Sequence, residues 1–536
     1  MLRCRRHAKR LLCNRSIANA GLLGLVLSVS GCAVGPDFET PEVKVQNNWI
    51  EKYDSRVSET AVKTRWWKVF NDPTLDNLIE CASEQNLPVQ IAGLRILEAR
   101  AQLGVAIGNQ YPQAQQGVGN AQKVHLSSRV ANLNLPSLQH SFDFFSLGFD
   151  AAWELDFWGR FRRNVEATDA GLLATVADYD NALVSLTAEV ARTYAQMRTY
   201  EVLIQIASKN AKTQREGLQI AESRFRNGAA SELDVTQARS LYESTLADIP
   251  EFQADLQQAK NALSILLGQP PGGVEALLHG PQRIPLATKK VAVGIPAELL
   301  RRRPDIRSAE LNAAAESARI GVAEADLYPK FSLLGEISVQ ASDAARLFAP
   351  GSLFYYAGPG FRWSILNYGQ ITNSVRAQDA RFQQAVVQYE NTVLKAAQEV
   401  EDALITFLKA QESAVDLQRS VDAAQRSVET SLIQYREGAI DYQRVVDSQT
   451  KLLDVMNRLA QKRSSIATNL IAVYKALGGG WEVGEGKPIV PEAILAQMAS
   501  RTNWGNLLPP PPPSRPENLN PPPPASATPV LLQPDW

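Results

Sequence analysis

Two hydrophobic periods divide this chain, and each occurs twice. Val176, Tyr179, Leu183, Leu186, Val190, Thr193 and Met197 are spaced alternately three and four residues apart. Val386, Tyr389, Val393, Ala396, Val400, Ala403 and Phe407 repeat that spacing. Sustained heptad spacing with Glu, Lys, Arg and Gln between the apolar positions predicts coiled-coil helices. No breaker stops the pattern from about 160 to 226 or from about 370 to 437. At about 1.5 Å per residue each helix spans roughly 100 Å, which does not fit a compact globule. After Gly228 and Gly438 the pattern resumes as far as Leu267 and Leu477, so a shorter helix follows each long one.

A period of two precedes each long helix. Phe145, Leu147, Phe149, Ala151, Trp153 and Leu155 alternate with Ser146, Gly148, Asp150, Ala152, Glu154 and Asp156. Phe331, Leu333, Gly335, Ile337 and Val339 do the same, as do Ala357, Pro359, Phe361, Trp363 and Ile365. Apolar and polar faces with terminal aromatics suit membrane barrel strands. The stretch after Tyr111-Pro112, rich in Gln and Gly, is the weakest of the set. The competing reading is an ordinary amphipathic sheet packed on a soluble core. Each copy offers one hairpin, so the chain has four strands. Four strands cannot close a barrel, and an open edge is not viable in lipid. Strands of this kind in a membrane require several chains to share one barrel.

The two copies are a duplication. At an offset of 210 residues, Trp153 matches Trp363, Gly159 matches Gly369, and Asp169-Ala170 matches Asp379-Ala380. Arg226, Gly228 and Ala229 return as Arg436, Gly438 and Ala439, and Leu267-Gly268 as Leu477-Gly478. Upstream, Gly104-Val105-Ala106 and Tyr111-Pro112 match Gly321-Val322-Ala323 and Tyr328-Pro329 at an offset of 217. The seven-residue change falls in the hairpin.

The ends of the chain read differently. Residues 1–31 hold six Lys/Arg and no Asp/Glu, with an apolar stretch from Ile17 to Val29 and then Ser30-Gly31-Cys32. A basic region, an apolar region and small residues before a cut describe a secretory signal peptide. The Cys at the first mature position makes it similar to a lipoprotein signal, and in such signals Ala33, rather than Asp, implies sorting to the outer membrane. Several acyl chains on Cys32 give stable anchoring; a general signal peptide with a chance Cys is the alternative. Residues 505–536, with Pro509–Pro513 and Pro521–Pro524, form a polyproline-type tail without a packed core.

Composition and charge narrow the function. Of 536 residues, 45% are hydrophobic and 21% charged, and the formal net charge is −1. Without the leader, 49 basic residues face 56 acidic ones, a net of −7. That leaves no basic excess for nucleic acid. Apart from residues 17–29 the chain has no long uncharged apolar run, which excludes a polytopic helical membrane protein. Cys4, Cys13, Cys32 and Cys81 form no CxxC pair, so neither a zinc site nor a disulfide framework is present. Cys81, in the pattern Leu75, Leu78, Ile79, Ala82, reads as a buried helix residue. No HExxH, GxSxG or Walker A motif occurs, and after cleavage His125, His140 and His279 are widely separated, so catalysis is not indicated and no cofactor is implied.

Together these residues resemble the outer membrane efflux proteins, the TolC-like channels, in their lipoprotein branch. The resemblance runs from about Cys32 to Trp481. It rests on Trp66-Trp67 with Phe70 and Asp72-Pro73, on Pro296 with Leu299 through Ile306, on both Tyr-Pro pairs and on both Arg-x-Gly turns. It implies an α+β membrane protein in which three protomers share a 12-stranded outer-membrane barrel continuous with a coiled-coil periplasmic tunnel. The expected organisation is a signal peptide at 1–31, an anchor and equatorial segment at 32–73 and a first repeat at 74–268. An equatorial linker at 269–295, a second repeat at 296–478, an equatorial segment at 479–504 and the tail at 505–536 follow. The implied partners are two further copies of the chain, a periplasmic adaptor (membrane fusion protein), an inner-membrane pump of the resistance-nodulation-division type, and outer-membrane lipid. The implied function is passive export of drugs or other small toxic compounds. A lipid-anchored periplasmic coiled-coil scaffold or adaptor, and a duct for type I protein secretion, are the alternatives.

Two sets of residues carry that function by resemblance. Asn227-Gly228-Ala229 and Glu437-Gly438-Ala439 sit at the turns that in similar channels form the periplasmic tip and receive the adaptor. Past the second turn, Gln443, Asp447 and Thr450 are spaced four and three, on one helical face. In the family this face lines the closed aperture, and an acidic residue matches Asp447. Arg444 stands where TolC has a second acidic residue. Tyr435 and Asp234 match a pair that links neighbouring coils in the closed state. Ile440 replaces a basic residue that supplies a second link in relatives.

Overall fold

The computed structural model describes residues 33–508, apart from 47, 59, 61–63, 128, 130–138, 286–289 and 295–301. The leader, Cys32, Pro296 with Leu299 to Arg301, and the tail from 509 lie outside the described residues.

Two short helices, α1 (Pro73–Gln85) and α2 (Leu87–Gly108), lead into the hairpin β2 (Ala114–His125) and β3 (Ser141–Leu155). The long helix α3 (Arg160–Arg226) and the shorter α4 (Glu232–Leu266) follow. The second copy repeats the order with α5 (Pro304–Glu324), β5 (Lys330–Ala341), β6 (Leu353–Arg362), α6 (Gln370–Arg436) and α7 (Tyr442–Ala476). Each long helix has 67 residues and each shorter one 35. Pro250 lies inside α4 on its exposed side, where its missing N–H costs one helical hydrogen bond. Among the described residues no helix is long and apolar enough to cross a membrane.

The heptad positions point inward. Tyr179, Leu183, Leu186, Val190 and Met197 of α3 are buried, as are Val386, Tyr389, Val393, Val400 and Phe407 of α6. The apolar core is largest at mid-helix, where three segments wrap the coils. The two-residue strand β1 (Val57–Ser58) pairs in parallel with β4 (Val291–Ala292). The Trp66 indole stacks on Tyr474 at 5.5 Å and donates to the Gly479 carbonyl at 3.2 Å. Trp49 donates to the Gly294 carbonyl at 3.1 Å. The short helix α8 (Glu492–Arg501) follows this belt.

The two hairpins join into one antiparallel sheet in the order β2-β3-β5-β6. Its register sets Phe149 opposite Ile337, Trp153 opposite Leu333, Ile337 opposite Tyr355 and Phe331 opposite Phe361. From Phe145 onward in β3, and across β5 and β6, one face is therefore apolar. On it Phe149, Tyr355 and Phe361 are 70%, 71% and 70% exposed, the opposite of a sheet seated on a soluble core. The other face carries Asp150 opposite Glu336 and Ser146 opposite Gln340. The Gln- and Gly-rich stretch forms β2, paired with β3 from Ala114–Ala152 to His125–Ser141.

Two sequence expectations change. The last strand begins earlier, at Leu353, and ends at Arg362, so Trp363 and Ile365 lie beyond it. Just past the strand, the Trp363 indole N–H donates to the Leu327 carbonyl at 2.9 Å. Cys81 is half-buried, at the margin of the face that α1 packs through Leu75, Leu78, Ile79 and Ala82. Burial and then the Glu84 and Glu80 carboxylates push its thiol pKa up, which disfavours the thiolate.

Candidate periplasmic gate and membrane collar

The tip of the molecule is made by two helix ends of the same construction. The Gly228 N–H reaches the Phe225 carbonyl and the Ala229 N–H the Arg224 carbonyl; Gly438 and Ala439 repeat this onto Tyr435 and Gln434. These are Schellman ends, which require a left-handed residue. Gly228 and Gly438 supply it, at φ +71° and +79°. Asn227, Glu437 and both alanines are exposed on the turns.

Above the turns a small separate apolar cluster holds the coils together, with Leu218, Ala221, Val235, Tyr435, Tyr442 and Val445 at its centre. The Tyr435 ring meets Tyr442 edge-on at 4.9 Å. Its hydroxyl donates to Asp234 Oδ2 at 3.3 Å, tying α6 to α4 within one chain. Burial first, then the Asp234 carboxylate, pushes the Tyr435 pKa up to about 12, so the phenol keeps the proton it donates. Asp234 is already fixed, because Ser231 caps α4 by accepting from the Asp234 N–H and donates its own hydroxyl to Asp234 Oδ1.

Gln443, Arg444, Asp447 and Thr450 are all exposed on α7, opposite the buried Tyr442, Val445, Ser448 and Gln449. The Gln443 amide donates to Asp447 Oδ1 at 2.8 Å and accepts from Gln237 Nε2 at 2.9 Å, a second tie to α4, this one from α7. Gln214, Tyr442 and Gln449 are buried nearby with side-chain polar atoms that lack a hydrogen-bond partner among the described residues. A Cβ on Gly217 would stand 2.8 Å from the Tyr442 hydroxyl. That contact explains a glycine in mid-helix, where it costs about 1 kcal/mol relative to alanine.

Sequence reasoning missed Arg224. Its Nη1 donates to the Tyr435 and Arg436 carbonyls at 2.6 and 2.8 Å, and its Nη2 to the Ala229 carbonyl at 3.0 Å. The guanidinium also lies 4.9 Å from the Tyr435 ring centroid. A cation in the last helical turn is a recognisable signal, since the last carbonyls lack partners. What the sequence does not reveal is that the carbonyls belong to the other repeat.

At the opposite end an aromatic collar joins sheet to coils. Trp158 stacks on Tyr328 at 4.5 Å and donates to the Pro329 carbonyl. Trp153 donates to the Gln110 carbonyl at 3.1 Å, and Trp363 repeats this contact onto Leu327. The segment that begins at Ala33 docks on the collar. The Val34 N–H reaches the Trp158 carbonyl at 3.0 Å, and buried Arg163 holds the Val34 and Gly35 carbonyls and Asp37. Gly35, at φ +92°, crosses the backbone of Gly321 so closely that a Cβ would lie 2.4 Å from the Gly321 Cα. Ala33 in turn abuts Gly159, at the start of α3.

The outer membrane efflux protein model matches residues 78–269 and 295–479, taking in both repeats. The chain belongs to that family. The outer membrane efflux protein is 30% identical over 461 residues to nodulation protein T of Rhizobium leguminosarum bv. trifolii, covering 85% of this chain and 96% of the relative. It is 30% identical over 460 residues to the cation efflux system protein CusC of Escherichia coli, covering 85% and 98%. Among solved structures it is similar to the outer-membrane channel OprN, at 32% identity and a TM-score of 0.78, covering 84% of this chain and 100% of that one. Of these, OprN is named an outer-membrane channel and CusC a protein of a cation efflux system, and none is named for an enzymatic activity. The fold is shared with OprN over the whole of that chain.

Proposed function

We propose that three copies of this protein form the outer-membrane exit duct of a tripartite efflux system in a Gram-negative envelope. The observation that carries this reading is the sheet. Its apolar face is exposed, and its end strands β2 and β6 each have one edge unpaired within the sheet. As first and last of four antiparallel strands, β2 and β6 run in opposite directions, so β6 of one copy can continue antiparallel into β2 of the next. Three sheets then close a barrel of twelve strands. The strands have 12, 15, 12 and 10 residues, enough for the roughly 9–11 needed by a tilted strand to span the apolar layer. The coils extend from the collar into the periplasm, toward an adaptor and an inner-membrane pump of the resistance-nodulation-division type. Relatives named for cation, pyoverdine and toluene export support small compounds, toxic ones among them, as the cargo class. The decisive measurement is conductance of the purified protein in planar bilayers, with its mass measured in native form. A trimer that conducts supports the duct; a non-conducting monomer overturns it.

The lipid anchor belongs to the same reading. Docking of Ala33 and Val34 on the aromatic collar supports acylation of Cys32, because it brings the mature N-terminus to the level where the sheet meets the coils. Mass spectrometry of the mature N-terminus should find a diacylglyceryl and an acyl chain on Cys32, and an unmodified N-terminus removes the anchor. Cys32→Ala should weaken membrane retention before insertion while leaving the folded barrel intact.

The gate is assigned to Gln443, Arg444, Asp447 and Thr450, with Tyr435–Asp234 as its closing tie and the Gly228 and Gly438 turns as the adaptor surface. Three-fold symmetry gathers three Asp447 carboxylates around one aperture, with Arg444 beside them. Asp447→Ala should alter cation selectivity and divalent block in single-channel recordings, and Tyr435→Phe should raise resting conductance. If neither changes conductance, selectivity or susceptibility to large antibiotics, the gate is elsewhere.

A further inference from the structure

We propose that Arg224 is a latch that holds the two tip turns of each protomer together and so sets the resting closure of the duct. The inference rests on the gate reading above and names a residue that reading does not contain. Three observations carry it.

The guanidinium bridges two separate turns. It donates to Ala229, beyond the first turn, and to Tyr435 and Arg436, in the last turn of α6. Both carbonyls lie in the last turn of α6, at the negative end of the helix dipole, and that of Tyr435 also accepts the Gly438 N–H of the turn. A fork of fixed planar donors suits several carbonyls at once in a way that a lysine ammonium does not.

The same group touches the gate from two sides. It lies against the Tyr435 ring, whose hydroxyl holds Asp234, and a Cβ on Gly438 would come within 3.2 Å of its Nη2. Withdrawing the α6–α7 tip from the α3–α4 tip must break both the Arg224 and the Tyr435 contacts.

The latch is single in each chain. At the offset of 210 that relates the repeats, Gln434 stands where α3 has Arg224, and Ile440 follows the second turn. The cation that joins the turns is thus supplied from α3 alone. Three such latches in a trimer each act within a protomer, not between protomers.

The test uses the full-length lipoprotein with Arg224→Met, which keeps the aliphatic stem, and Arg224→Lys, which keeps the charge. Charge-assisted hydrogen bonds of this kind shift a two-state balance on the order of tenfold or more. Arg224→Met should therefore raise resting single-channel conductance or open probability markedly, with Arg224→Lys between it and wild type and trimer yield unchanged. A second measurement separates the latch from the duct. Spin labels at Asn227→Cys and Glu437→Cys, in a Cys81→Ser background with one labelled chain among unlabelled copies, report the separation of the two turns within one chain. Arg224→Met should lengthen and broaden that distance even in a preparation that does not conduct. A non-conducting wild type with the expected distance change counts against the duct alone. An unchanged distance, or a drop in trimer yield with wild-type conductance per channel, overturns the latch.

Discussion

Arg198→Met is expected to destabilise the folded protein by about 3–5 kcal/mol per protomer, because it leaves a buried carboxylate without its partner. Arg198 is 2% exposed and donates to Glu201 Oε2 at 2.8 Å, Glu201 itself being 8% exposed. The guanidinium also donates to the Tyr194 hydroxyl, which donates in turn to Asp72 Oδ2, and to the His279 carbonyl. Burial, ahead of its polar neighbours, pushes the Tyr194 pKa up to about 12 and keeps that donor protonated. One side chain on α3 therefore fastens the cap of α1 and the chain that follows α4. The variant should melt well below wild type in detergent, and Arg198→Met/Glu201→Gln should recover much of the loss by removing the stranded charge. Melting of the single variant at the wild-type temperature would show that the hub carries little stability.

Gly228→Val and Gly438→Val should abolish efflux while the protein still assembles. Each forces a β-branched residue into a left-handed conformation, at roughly 1–2 kcal/mol, a cost that deforms a turn without unfolding helices of 67 residues. The two positions are not equivalent. Nothing lies within 4 Å of a Cβ on Gly228, whereas one on Gly438 meets Arg224. Gly228→Ala should weaken adaptor crosslinking alone; Gly438→Ala should weaken it and also raise resting conductance. Crosslinking to the adaptor in cells, compared with conductance of the purified variants, reads the two effects separately. Wild-type crosslinking in both valine variants would remove the turns from the adaptor surface.

Local pattern exposed most of the fold. Heptads in α3 and α6 and alternation in β3 and β5 are properties of neighbouring residues, so they survive in the sequence as periods. The duplication exposed the pairing of each long helix with a shorter one. Less legible were features made by residues far apart in the chain. The junction of β3 with β5, which turns two hairpins into one sheet, leaves no mark in either strand. Trp363 continues an alternating pattern beyond the end of β6, so period alone does not mark where the strand stops. Gly217 looks like a flaw in a helix until Tyr442 is set against it. Arg224 looks like an ordinary C-terminal cation, and two of its three carbonyl partners lie more than two hundred residues away.

The two unpaired edges of the sheet also dictate an order of events. A lone copy entering lipid would expose the unpaired N–H and C=O groups of β2 and β6 to hydrocarbon, each a penalty that nothing in the same chain removes. In the proposed trimer, insertion and association are therefore one step, third order in the chain. Such a step is slow for dilute molecules in the periplasm. The acyl anchor proposed at Cys32 would confine the copies to a surface and raise their encounter rate before any strand is committed, and so would act chiefly as a catalyst of assembly. Loss of the lipid should accordingly delay the appearance of finished channels far more than it shortens their lifetime.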